Sequence, residues 1–84
     1  MELWEIVSAR IRSLCADRHI TLHKLATMSG LSSSTLDSII KGSSKNPGIE
    51  SLVKIANAFN MTVSEFLDTP ALNNYSPDDT SEDD

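Results

Sequence analysis

The residues Thr21 to Lys41, TLHKLATMSGLSSSTLDSIIK, constrain this chain most, because they hold two helical periods separated by one glycine. Leu22, Leu25, Ala26 and Ser29 recur at i, i+3, i+4 and i+7, one face of a short helix. Gly30 then ends that helix where the backbone must turn left-handed, which glycine does without a Cβ clash. Leu31 and Ser32 come next as N′ and N-cap of a second helix whose apolar seam is Leu36 and Ile39. Its other side carries Ser34, Asp37, Ser38 and Lys41 at the same helical spacing. Helices this short are marginal in isolation, so each must be held by packing along its apolar stripe.

The second helix is thus fastened on one side and offers small polar groups on the other. That is the arrangement by which a helix-turn-helix presents a helix to the major groove of DNA. Ala26 agrees with it, since two helices crossing closely tolerate only a small side chain between them. Helix-turn-helix geometry also serves proteins that bind no DNA, so the motif leaves that alternative open.

Eighty-four residues make one small domain that buries roughly 60–65% of its unfolded surface. A single cysteine, Cys15, excludes an internal disulfide and a cysteine-built zinc site, and fits a reducing cytoplasm. Its expected role is that of a small buried hydrophobe. No apolar run reaches the ~18–20 residues of a membrane span and no signal peptide is visible, so a cytoplasmic protein without membrane partner is expected. The net charge of −5 is unevenly placed. Residues 1–67 carry seven basic and six acidic side chains, a balance of +1, whereas residues 68–84 carry six acidic ones and no base. The folded part is near neutral, which permits a nucleic-acid partner without advertising one.

Along the chain, Leu3 to Arg18 reads as a first helix with Leu3, Val7, Ile11, Leu14 and Arg18 on its seam. Arg10 and Arg12 flank that seam and are expected at the surface or paired with Glu2 and Glu5. A start signal then recurs three times: Ile20-Thr21 with Leu25, Leu31-Ser32 with Leu36, and Met61-Thr62 with Phe66. In each, a hydroxyl N-cap sits inside a hydrophobic staple, and Thr62 with Glu65 adds a capping box. Residues 41–48, KGSSKNPG, form a loop in which Pro47 disfavours helix at Asn46 and Gly48 can cap the next helix. This fourth helix spans Ile49 to about Asn60 on Leu52, Ile55, Ala56 and Phe59, and a fifth covers Val63 to Asp68. No strand pattern of useful length occurs. The expected architecture is all-α, five helices around one core over residues 1–69. Residues 70–84, PALNNYSPDDTSEDD, read as an acidic, unstructured tail that buries too little to offset its ordering entropy. It could also act as a polyanion against the DNA-facing surface, or dock Ala71, Leu72 and Tyr75 on a partner subunit.

Catalysis is not expected. There is no nucleophile–base pair, no paired carboxylates on one face and no glycine-rich phosphate loop. His19 and His23 stand four apart, but His19 precedes the Thr21 cap and no third ligand converges, so neither a metal nor another cofactor is expected. No small-molecule substrate is evident.

With five helices placed, residues 11–68, IRSLCADRHITLHKLATMSGLSSSTLDSIIKGSSKNPGIESLVKIANAFNMTVSEFLD, resemble the lambda repressor/Cro-like helix-turn-helix family. LATMSGLSSSTLDSIIKG, the Asn-Pro before the fourth helix, and LVKIANAFNMTVSEFL carry the likeness most strongly. The resemblance implies a compact lambda repressor-like fold and a sequence-specific, repressor-type transcriptional regulator acting on a double-stranded operator as a homodimer. It nominates Ser33, Ser34, Asp37 and Ser38 as base-facing. Thr21, Leu22, His23 and Lys24 would meet phosphate at one helix start, with Lys41, Ser43, Ser44, Lys45 and Asn46 gripping the backbone further along. Three positions depart from the family pattern: Leu22 stands where many relatives place glutamine, Ser33 where arginine or glutamine is common, and Ile40 where glutamate is common. The acidic tail and serine-rich helix fit a second reading, a protein-interaction or antitoxin-like module that keeps the fold without reading DNA.

Overall fold

Four helices in this protein, beginning after Thr21, Ser32, Thr62 and Thr69, start on side chains that fold back onto their own first turn. The structure, a computed structural model, describes residues 2–43 and 46–76. Its helices are α1 (Leu3–Arg18), α2 (Leu22–Ser29), α3 (Ser33–Lys41), α4 (Ile49–Ala58), α5 (Val63–Leu67) and α6 (Pro70–Asn73), with no strand among the described residues. Thr21, Ser32 and Thr62 each accept a hydrogen bond from the amide three residues on, at 3.0, 3.1 and 3.1 Å. The Thr62 amide in turn donates to Glu65 Oε1 at 2.8 Å, completing the expected capping box. Ile20, Leu31 and Met61, the residues before these caps, all pack against the core.

Two of those staples also finish the preceding helix. His19 and Asn60 are left-handed, with φ of 56° and 64°. The next amides reach back to close a Schellman turn, Ile20 N–H to the Cys15 carbonyl and Met61 N–H to the Ala56 carbonyl, both at 3.0 Å. Ile20 and Met61 therefore end one helix and begin the next, which is why these connections are so short. The fourth helix stops at Ala58 rather than near Asn60 for this reason: Phe59 leaves the helix and Asn60 turns left-handed.

One core joins these elements. α1 lies against α2, α3 and α6; α2 crosses α3 and α4; α4 supports α5. Ile11, Leu25, Ile55, Phe59 and Phe66 are fully enclosed, each worth about 1.5–3 kcal/mol by its removal from water. The α1 seam is shorter than its spacing suggests, since Leu3 and Arg18 at its ends are exposed while Val7, Ile11 and Leu14 are buried.

The five expected helices are joined by a sixth. Residues from Pro70 onward are expected on composition to lack structure, yet Pro70–Asn73 is helical, with Thr69 Oγ1 accepting from the Leu72 amide at 3.3 Å. Pro70 occupies the first turn, where its missing N–H costs nothing, and Leu72 packs against the core. Composition hides this turn because Leu72 alone of its residues is anchored inward. The acidic residues from position 77 onward lie outside the described residues.

Arg10 and Arg18 are also placed differently from expectation. Arg10 donates to the Phe66 carbonyl at 2.8 Å and the Glu65 carbonyl at 3.1 Å, while Arg18 donates to the Phe59 carbonyl at 2.7 Å with its guanidinium over that ring. Both satisfy carbonyls at helix C-termini, where a positive charge also complements the dipole. No helix of the structure is long and apolar enough to cross a membrane.

Gly30 and Gly42 both end helices at φ near 80°, but only Gly42 is also closed in, a Cβ there meeting three Trp4 ring carbons at 2.8 Å. Gly30→Ala should therefore cost about 1–2 kcal/mol from backbone strain alone. Gly42→Ala should cost roughly 3 kcal/mol or more, because overpacking adds to the strain. Urea unfolding followed by Trp4 fluorescence separates the two.

Candidate nucleic-acid interface

The interface is built on the underside of α3. Leu36, Ile39 and Ile40 are buried there, Ile40 with 3% of its surface exposed. Ile40 is thus part of the chain's own core, which accounts for an apolar side chain where the resemblance anticipated glutamate. The last carbonyls of a helix have no intrahelical donor, and the buried Ser8 hydroxyl of α1 fills that role for Ile40, donating to its carbonyl at 2.9 Å. Gly42 and the Trp4 ring close the same end. The N-terminal end is fixed by Ser32, which accepts from the Thr35 amide and donates to Thr35 Oγ1 at 2.8 Å.

With both ends tied, the opposite face is open. Ser33, Ser34, Thr35, Asp37 and Lys41 are exposed and Ser38 is half-buried. A cleft of about 320 Å3 runs between this face and the start of α2, lined by Leu22, His23, Ser33, Ser34, Leu36 and Asp37. Five of those six were nominated from the sequence. Of the other nominated residues, Thr21, Lys24, Ser43 and Asn46 are exposed, with Thr21 Oγ1 occupied by the Lys24 amide. Ser44 and Lys45 lie outside the described residues. Leu22, where relatives often carry glutamine, is half-buried against the core and offers its backbone amide rather than a polar side chain. The amides of Leu22 and His23 precede the first bond of α2, from the Leu25 amide to the Thr21 carbonyl, so they sit where an anion is favoured.

The electrostatics of this face are sparse. Asp37 and Lys41 form an ion pair at 3.1 Å, with side chains 54% and 67% exposed. Lys54 pairs with Glu50 at 3.7 Å, and Arg10 and Arg18 are occupied by the carbonyls described above. Among the described residues, Lys24 and Lys41 are the cations nearest the cleft by position in α2 and α3. Cys15 is distant in character: burial raises its thiol pKa, and the Arg12 charge offsets only part of that, so the reactive thiolate is disfavoured.

Two supporting residues escaped sequence reasoning. Ser8 lies on an apolar seam and nothing local marks it as a partner for residue 40. Thr35 could have been found from the Ser32 cap, whose partner is three residues on by rule.

This pairing of α2 and α3, in contact with each other and joined by a turn at Gly30, is a helix-turn-helix. Residues 10–71 match the family model of the Cro/C1-type HTH DNA-binding domain, and the chain belongs to that family. It is similar to prophage Lp1 protein 11, known from a crystal structure, at 30% identity and a TM-score of 0.79 over 89% of this chain and 100% of that one. No curated protein matches it. The all-helical fold and the lambda repressor/Cro-like kinship expected from the sequence both hold, and the chain carries a DNA-binding regulator's domain.

Ser8→Ala should leave the Ile40 carbonyl buried without a donor and destabilise the fold by about 1–3 kcal/mol. Chemical denaturation of the two proteins measures this directly.

Proposed function

We propose that this protein is a sequence-specific, repressor-type transcriptional regulator that inserts α3 into the major groove of its operator. The observation that carries the reading is the cleft that brings the start of α2 together with the first turns of α3. On this reading Ser33, Ser34, Asp37 and Ser38 face bases. Backbone contact falls to Thr21, the amides of Leu22 and His23, and the side chains of His23, Lys24, Lys41, Ser43 and Asn46, with Ser44 and Lys45 continuing the loop. Hydroxyls both donate and accept, so they adapt to several base edges, and much of the selectivity must come from DNA shape.

A lone domain of this size reads few base pairs. We infer a homodimer on half-sites ~34 Å apart, working in the cytoplasm. A protein-interaction module is the second reading, favoured by the engagement of Arg10, Arg18, Lys41 and Lys54 within the chain.

Few cations face the cleft, so about three phosphates are neutralised per protomer and the slope of log K against log salt should be about −3 per protomer. A mobility-shift titration over the native upstream region, repeated at several salt concentrations, should give salt-sensitive binding stronger than to random duplex. Equal affinity for random duplex contradicts sequence-specific recognition, and no binding to either favours the protein-interaction reading.

A further inference from the structure

We propose that Asp37 selects a cytosine in the operator, which favours a G·C pair at one position of each half-site. This rests on the reading of α3 as the groove-entering helix and assigns it one base.

What the open face can say chemically is limited. Ser33, Ser34 and Ser38 present hydroxyls, which accept or donate as the partner requires. Among the four residues read as base-facing, Asp37 alone has fixed polarity: a carboxylate only accepts, whereas the Lys41 ammonium one turn on only donates and is assigned to the backbone. In the major groove the base donors are the N4 amino group of cytosine and the N6 amino group of adenine. Adenine places its N7 acceptor beside N6, so a carboxylate approaching it meets repulsion, whereas cytosine offers N4 without an acceptor of its own on that edge. Guanine and thymine present acceptors and are rejected.

A carboxylate beside phosphates would ordinarily weaken binding. Here the Lys41 ammonium sits 3.1 Å from Asp37 Oδ2, so part of that repulsion is offset. The carboxylate also lies on the wall of the cleft, with His23 the other titratable residue lining it. Lys41 is one turn further on, held by the same stretch of α3 that Ser8 and Gly42 fix at its end. Asp37 is thus at once a cost for indiscriminate binding and a gain at one base pair, which is how a protein with few cations can still discriminate.

The test is binding-site selection from a random duplex pool with the full chain, comparing wild type with Asp37→Asn and Asp37→Ala. Wild type should select cytosine at one position of each half-site by about tenfold over the other bases. Asp37→Asn should move that position to adenine, whose N6 and N7 match an amide, and leave the other positions unchanged. Asp37→Ala should lose the preference without gaining another. Both variants should bind random duplex more tightly than wild type, since one negative charge within a Debye length of the phosphates is gone. If wild type selects a motif and Asp37→Asn leaves every position unchanged, the role given to Asp37 is overturned while the regulator reading stands. If wild type selects no motif, both are overturned.

Discussion

The buried contact between Ser8 and the end of α3 is the point on which the arrangement turns. A helix of nine residues has almost no stability of its own, and its final carbonyls must find donors or water. Ser8 supplies a donor from inside α1, and Gly42 lets the chain leave over the Trp4 ring. With Leu36, Ile39 and Ile40 removed from water beneath it, α3 is held by its underside and its far end. Its outward face is therefore left without structural duties, and the side chains there are set by what they meet in solution.

The same economy recurs in the remainder of the molecule. α1 ties the bundle together with its polar side chains: Arg18 and Arg10 close the ends of α4 and α5, and Ser8 closes α3. Charge that could have attracted a polyanion is used instead to satisfy backbone carbonyls. The domain's near-neutral balance consequently overstates the cations at its surface, and the proposed recognition leans on helix-end amides, hydroxyls and a paired carboxylate. That division of labour separates the folding role of α1 from the binding role proposed for α2 and α3.

Local signals in the sequence are readable because each rests on neighbours within four residues. The caps at Thr21, Ser32, Gly48 and Thr62 and the glycine end at Gly30 all depend on residues close in the chain, and their positions are legible. The stripe on α4 and the polar edge of α3 come from periodicity. Long-range bonds are not legible: Ser8 to residue 40 and Arg10 to residues 65 and 66 join positions that no spacing rule relates. The α6 turn escapes because a four-residue helix has no period to detect. Of the candidate interface, spacing and resemblance nominate the residues, but they do not show the cleft that gathers Leu22 and His23 against Ser33, Ser34 and Asp37. Nor does spacing show that Lys41 is drawn to Asp37 on its own helix.

On the proposed function, the outward face of α2 and α3, and no other face, meets DNA. Titration of the isotopically labelled chain with a duplex from its own upstream region, followed by amide NMR shifts, tests this most directly. The largest changes are expected at residues 21–24 and 33–41, with little change across α5 and α6. Changes concentrated on α5 and α6, with residues 33–41 unmoved, would contradict it.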